Sequence, residues 1–470
     1  MLHKKPPKKA EGKIKRSLRY SLYDGITYSV MFGASDPFYQ TYGMYVGAGT
    51  ILLGLMRSLP SALGSLSQLF ARQGIMLFGG RRKFVATNAL LHGMMFLPIL
   101  AAPFLGQTSG IWLLASLCLA GIFGMILVPA WNSWMGDLVS AKSRGHYFGV
   151  RSGVTGIISF FALLAAGWVL HLFEPTARNA ETHNSQYMGF LIIFSVAFIA
   201  RGFSAFFLNK KHEPKYRYTH NKLMPLALLA TGKKNSQIRI LIIFLSLMNF
   251  ASMLVAPYVD VYYRNAAGMN YLIFTGVSGM FFAFKYFAMP VWGKACDRYG
   301  TRKVLVVSGM MVAILPFFLP LAMFHPAAFI TQGIAGFAWG GFEIAAFNIL
   351  FDSTKPAERT SIIAYYNIVN GAAGLMATMA GWLILEYNNL FATPFILLFI
   401  TSGILRIIIS LFFAKRIQET REVEHIHARL LPFRMLQALT EQTLSVGYSV
   451  VSLGKKLIFR NGTGSRRKGK

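Results

Sequence analysis

Apolar stretches of bilayer length recur from one end of this chain to the other, and short basic segments separate many of them. "YLIFTGVSGMFFAFKYFAMPVW" and "VLVVSGMMVAILPFFLPLAMF" are two such stretches, and between them lies "GKACDRYGTRK", Gly293 to Lys303. A spanning helix needs about 20 consecutive apolar residues. A soluble core has no place for so many runs of that length. Composition agrees: 54% of residues are hydrophobic and only 14% charged, against about 25% charged in ordinary soluble domains. The reading is an all-α integral membrane protein with twelve transmembrane helices. Its spans lie near 20–45, 48–72, 82–105, 110–137, 146–172, 187–209, 238–263, 269–292, 302–325, 327–351, 360–386 and 391–414.

The net charge of +30 raises the question of nucleic acid, and its placement answers against it. Lys and Arg gather in the two tails and in alternate connections: "GGRRK", "AKSRGHYFGVR", "GKKNSQIR", "GKACDRYGTRK", "KPAER". The remaining connections are poor in charge. This is the bias that orients membrane proteins with basic loops inside, and it predicts both termini in the cytoplasm of a cell bounded by this plasma (inner) membrane. The same charges suit anionic lipid headgroups. No nucleic-acid partner is expected.

The longest basic connection divides six spans from six. The expected organisation is a basic tail at 1–19, a first six-helix bundle at 20–209, a linker at 210–237, a second bundle at 238–416 and a basic tail at 417–470, which has an amphipathic or a partly disordered reading. No cleavable leader is expected. Cys118 and Cys296 fall in different settings, so no disulfide is predicted.

The halves repeat one another. "ARGFSAFFLNKK" matches "LRIIISLFFAKR", so that Arg201 and Arg406 each precede a Lys by nine residues. "DLVSAKSR" matches "DSTKPAER", with Asp137 seven residues before Arg144 and Asp352 seven before Arg359. "AAGWVL" pairs with "MAGWLI". Three matches in one order indicate a duplicated six-helix unit, as in many transporters.

The charged knot then points to a family. Gly293, Asp297, Arg298, Gly300, Arg302 and Lys303 stand as G-x-x-x-D-R-x-G-x-R-K, which resembles the signature loop of the major facilitator superfamily. The resemblance implies two pseudo-symmetric six-helix bundles and a loop that latches them in one state and frees them in another. Asp137, Arg144, Asp352 and Arg359 are expected to join that gate; the alternative is that the Lys and Arg only anchor the topology. The first-half copy, "GIMLFGGRRK", keeps Gly80, Arg82 and Lys83 but has Leu77 and Phe78 where Asp and Arg are expected. An asymmetric latch follows.

Ionisable groups inside a span cost several kcal/mol unless paired or hydrated. Asp36, followed by the helix-breaking Pro37, is the candidate for exchanging a proton or holding substrate. Arg57, Lys285 and Glu343 are further candidates for a cavity. Static pairing, Asp36 with Arg57 and Lys285 with Glu343, is the competing reading of each. Trp131 and Asn132 are singled out as cavity residues, with a place in the interfacial aromatic belt as the alternative. Asp24 and Asp260 are expected at the interfaces, and Arg201 and Arg406 as ion-pair partners or snorkelling side chains.

No phosphate-cradling loop, metal-ligand spacing or nucleophile elbow is present in the sequence. No enzyme activity and no cofactor are expected. The expected function is secondary active transport of a small solute by alternating access, driven by protons and carried out by a monomer. The alternative is a transporter-like sensor or docking protein.

Overall fold

A computed structural model of the chain describes residues 8–139, 144–174, 180–214, 236–354, 359–388, 390–391, 393–419 and 434. The linker beyond 214 and most of the tail beyond 419 lie outside the described residues. The described part holds helices and no strand.

The first bundle comprises α1 (Lys8–Ser35), α2 (Tyr39–Tyr45), α3 (Thr50–Ser67), α4 (Ala71–Leu77), α5 (Arg81–Met94), α6 (Phe96–Ala101), α7 (Ser109–Ile126), α8 (Val128–Leu138), α9 (Arg144–Leu172) and α10 (Ala180–Lys210). The second comprises α11 (Ser236–Met253), α12 (Ala256–Val261), α13 (Tyr271–Tyr299), α14 (Thr301–Ile314), α15 (His325–Asp352), α16 (Arg359–Tyr387) and α17 (Pro394–Ala414). Several helices pair up to make one passage, broken where proline removes a backbone donor. Pro37 sits in the 3-10 turn between α1 and α2, and Pro257 opens α12 just after α11 ends. The first and seventh passages are therefore interrupted at similar depths, a matched break in the two repeats.

Nine segments of the described residues are long and apolar enough to cross a membrane. One of them, Arg81–Leu138, has 58 residues, enough for two passages, and it turns at Gly106 between α6 and α7. The first two passages, which carry Asp36 and Arg57, are not among the nine. The six-plus-six arrangement stands, and large apolar side chains such as Trp112, Phe161, Trp168 and Phe203 lie on the outer surface, as a lipid-facing bundle requires. The eighth passage departs from expectation. It was expected to stop near 292, yet α13 continues to Tyr299.

The core follows the same plan. A large apolar cluster joins both halves, running from Phe38 and Tyr42 through Phe190 and Phe194 to Tyr258 and Phe274. A second cluster, around Trp292, Phe337 and Phe342, belongs to the second half alone. Gly336 shows why α13 and α15 pack so closely: a Cβ there would collide with the Phe281 carbonyl.

Candidate functional site: a charged central cavity

A cavity of about 710 Å³ lies between the bundles. Among the described residues, the first half contributes Phe32, Asp36, Pro37 and Arg57 to its wall. The second half supplies the rest, from α11 and α12 through α17. Asp36, Arg57, Lys285 and Glu343, all singled out from sequence, do line it.

Their arrangement is specific. The helix break at Asp36–Phe38 puts the Asp36 carboxylate on the open face of the cavity. Arg57, projecting from α3, is exposed to the same space and interacts electrostatically with both Asp36 and Asp260. Asp260 was expected at the interface; the break ahead of α12 places it on the cavity wall. Lys285 Nζ donates to Glu343 Oε1 at 2.7 Å, joining α13 to α15. Glu343 keeps 41% of its side chain exposed, so the pair is accessible from the cavity. Arg406 also reaches the wall while only 5% exposed. It does not snorkel. Its Nη1 donates to the Val312 carbonyl at 3.0 Å.

The halves meet at the charge-poor end. Glu174, beyond the end of α9, pairs with Arg264 at 2.8 Å and accepts a hydrogen bond from the Tyr271 backbone N–H at 2.9 Å. The Arg264 guanidinium stacks 3.9 Å from the centre of the Tyr271 ring, and Gln186 donates to the Tyr271 hydroxyl at 3.0 Å. A carboxylate on the first N–H of α13 is favoured by the unpaired donors and dipole there. Deeper in, Gln40 donates to the Pro257 carbonyl, a backbone acceptor beside the break ahead of α12. Nothing in the sequence reading singled out Glu174, Arg264 or Gln40. From that closed end the cavity extends toward the basic end, where Phe351 and Ile363 line it.

The signature residues sit at the basic end, with a different local shape from that expected. Gly293, Asp297 and Arg298 are helical, within α13. The turn is a single residue, Gly300, with φ of +99°, a conformation that favours glycine. Gly293 has open space around it and meets no neighbour. The Arg302 N–H donates to Glu419 at 2.9 Å, and its Nη2 donates to the Ala414 carbonyl at 2.8 Å. The motif thereby holds the end of α17 against the start of α14. Asp297, Arg298 and Lys303 lie on the same ends of these helices. Asp352 lies at the basic end of α15.

The first half answers with a buried version. Arg81, fully buried, bridges Asp137 at 2.7 Å, the Ser133 hydroxyl at 3.0 Å and Glu213 at 3.5 Å. Glu213 also accepts from the backbone N–H groups of Arg81 and Arg82 at the start of α5. Asp137 was expected to act with Arg144; the described partner is Arg81. The side chains of Arg144 and Arg359 lie outside the described residues.

Trp131 and Asn132 are not on the cavity wall. Trp131 packs under Arg151, 4.7 Å from its ring centre, and Asn132 is exposed. They border a buried cluster at the basic end of the first half. Asp24, expected to be interfacial, is 4% exposed there. It accepts from Ser204 at 2.8 Å and faces Arg151 at 3.6 Å and Lys211 at 3.7 Å. Ser204 in turn accepts from Arg201 at 3.0 Å. Lys211 lies just past the end of α10, and burial pushes its ammonium from 10.5 down to about 8, against the opposing pull of Asp24.

No group of His, Cys, Asp and Glu among the described residues is placed to hold a metal ion. Comparison by fold finds structures of transport proteins. One is a mutant of nucleoside transporter NupG, at 13% identity and TM-score 0.67, covering 85% of this chain and 100% of that one. A D-xylose-proton symporter matches at 15% identity and TM-score 0.64, covering 87% and 99%. A bacterial homologue of iron transporter ferroportin, in an inward-facing state, matches at 14% and 0.64, covering 85% and 98%. No curated protein matches the chain by sequence. At these identities the likeness shows the fold. The family model for the Major Facilitator Superfamily matches residues 25–284 and 240–459; with its paired bundles and its central cavity, the chain belongs to that superfamily.

Proposed function

We propose that this protein moves a small solute across the plasma membrane by exposing the central cavity to one side and then the other, coupled to protons. The observation that carries this reading is the cavity itself: charged groups from both halves face one shared space, and the halves are clasped together at its charge-poor end. Asp36 is the proton-exchanging carboxylate. It stands beside a helix break, on the cavity face, with Arg57 as the nearby opposing charge. Protonating it changes which group Arg57 balances, and Asp260 on the other half is the alternative partner. Lys285 and Glu343 are cavity charges that a substrate can engage. The knot around Asp297, Arg298, Gly300, Arg302 and Lys303, with Asp137 and Asp352, governs the basic end. Arg144 and Arg359 begin the helices that leave it, and we assign them to the same gate. With the basic connections assigned to the cytoplasm, the clasp at the charge-poor end supports an inward-facing assignment.

The test is flux into proteoliposomes, with a panel of sugars, nucleosides, amino acids, small peptides, organic anions and lipophilic cations. Each is run with and without an imposed pH gradient. The expected result is uptake of at least one class, accelerated by the gradient, with the acceleration lost in Asp36→Asn. Uptake indifferent to the gradient overturns the proton role, and a panel with no flux in any class overturns transport.

A further inference from the structure

Resting on the transport reading, we infer that the cavity takes a dipolar solute: one cationic group, one anionic group and an apolar body between them. The cationic group faces Asp36 and Asp260, and the anionic group faces Arg406.

The argument is a charge balance around one wall. Lys285 and Glu343 neutralise each other at 2.7 Å. Asp36, Asp260 and Arg57 line the same wall with no ion pair between them in the described residues, and the one guanidinium acts on both carboxylates from farther off; two acids against one base leave an excess of negative charge. Arg406 has no carboxylate in ion-pair range among the described residues. Its described hydrogen bond runs to the neutral Val312 carbonyl; its Nε has no partner, which is equally true of Arg201, so the distinction lies in the missing acid. Arg201 occupies the corresponding place in the first half and makes the contrast plain. It is equally buried, yet it is linked through Ser204 to Asp24 and lies away from the cavity. The second half keeps the arginine on the cavity lining, with no equivalent acid beside it among the described residues.

The two uncompensated poles lie at different depths. Arg406 is eight residues from the basic end of α17 at Ala414, about 12 Å at 1.5 Å per residue. Asp260 is six residues from Ala266, the last residue of a short π-helical turn on the charge-poor side, so it stands near that end of its passage. Phe281, Trp339 and Phe342 line the same cavity and offer apolar surface. A lone charge kept in such a site is expensive, and a solute that brings the opposite charge to each pole relieves both at once. The 710 Å³ volume falls in the range that holds small organic ligands.

Three probes of nearly equal size test this: phenylalanyl-phenylalanine, its C-terminal amide and its N-acetyl derivative. The first is a zwitterion, the second a cation and the third an anion. Binding to the full-length protein in detergent is followed by calorimetry. The expected result is that the zwitterion binds at least tenfold more tightly than either derivative. Arg406→Gln should close the gap between the zwitterion and the amide while leaving the gap to the acetyl form. Asp260→Asn should do the reverse. Arg406→Lys, which keeps the charge, should restore the preference, so that a loss in Arg406→Gln is not taken for misfolding. Equal binding of the amide or the acetyl form by the wild type, an unchanged preference in Arg406→Gln, or no binding of any probe overturns the inference. Flux of some other solute class in the proteoliposome panel would then leave the transport reading standing without it.

Discussion

The two halves handle buried charge in opposite ways. In the first half, Arg81 is held by Asp137, Ser133 and Glu213, and Asp24 sits among Ser204, Arg151 and Lys211. These groups serve one another inside the bundle. In the second half, Arg302 is held by Glu419 and a carbonyl at the surface end, while Arg406, Lys285 and Glu343 open onto the cavity. The duplicated arginines have thus come to different surroundings. At the basic end of the first bundle the charges are turned on one another. In the second bundle three of them lie on the cavity lining, across from Asp36 and Arg57 of the first.

The sharpest way to break this comparison is to remove the arginine from each clasp. Arg81→Ala opens a hole at a fully buried side chain and leaves Asp137 without its described partner, while Glu213 keeps the backbone N–H groups of residues 81 and 82; it should cost about 2 kcal/mol, read as a lower melting temperature in detergent. Arg302→Ala, at a partly exposed site, should cost about 1 kcal/mol. Equal losses would mean that the halves are clasped alike.

Next in size is the cross-half clasp. Glu174→Gln removes the ion pair to Arg264 and leaves an acceptor for the Tyr271 N–H. The equilibrium between conformations should move about tenfold toward opening at the charge-poor end, a coupling of about 1–2 kcal/mol. Spin-label distances between residues near 172 and 268 check it, and an unchanged distance distribution would show that the apolar contacts alone hold that end.

Lys285 and Glu343 sharpen the contrast further. The exposed face of Glu343 screens the pair, so a double-mutant cycle between Lys285→Gln and Glu343→Gln should give a coupling of about 1 kcal/mol in stability. A larger value would place this pair with the rigid clasps of the first half.

The smallest effect concerns pH. Below about pH 8 Lys211 is protonated in both the folded and unfolded chain, and the folded state bears the full cost of burying it. Between about 8 and 10.5 the folded chain sheds the proton first, so stability rises with pH across that window. The wild type should gain roughly 2 °C in melting temperature relative to Lys211→Met between pH 8 and 9.5. Parallel curves would show that Lys211 is hydrated.

Much of this was legible in the sequence because the bilayer reduces the possibilities. Long apolar runs and the side on which Lys and Arg gather are one-dimensional signals, and they supplied the architecture and the duplication. Four charges inside the runs led to the cavity because a charge there has few tolerable places to go. The misplacements have two causes. Asp260 was located by counting along a straight span, and the break ahead of α12 changed its surroundings. Trp131 and Asn132 belong to an aromatic and polar cluster, and such a cluster does not say which face of a passage it occupies. Arg81, Glu174, Glu213 and Glu419 lie in or next to connections, where charge is ordinary; only the fold shows that each carboxylate reaches the start of a helix distant in sequence.

One helix joins the regions compared here. α13 carries Tyr271 at one end, Lys285 near its middle and Gly300 immediately past the other, over 29 residues, about 43 Å at 1.5 Å per residue. One end is tied to the first half through Glu174; the other turns at Gly300 into α14, which Arg302 ties to α17. If the chain works as proposed above, a tilt that frees Tyr271 from Glu174 would swing Asp297 and Arg298 on the opposite side of the membrane, less whatever bending Pro290 absorbs. A stiff beam would then move both ends as one part, and a limp one would let both stand open together, a leak in place of a carrier.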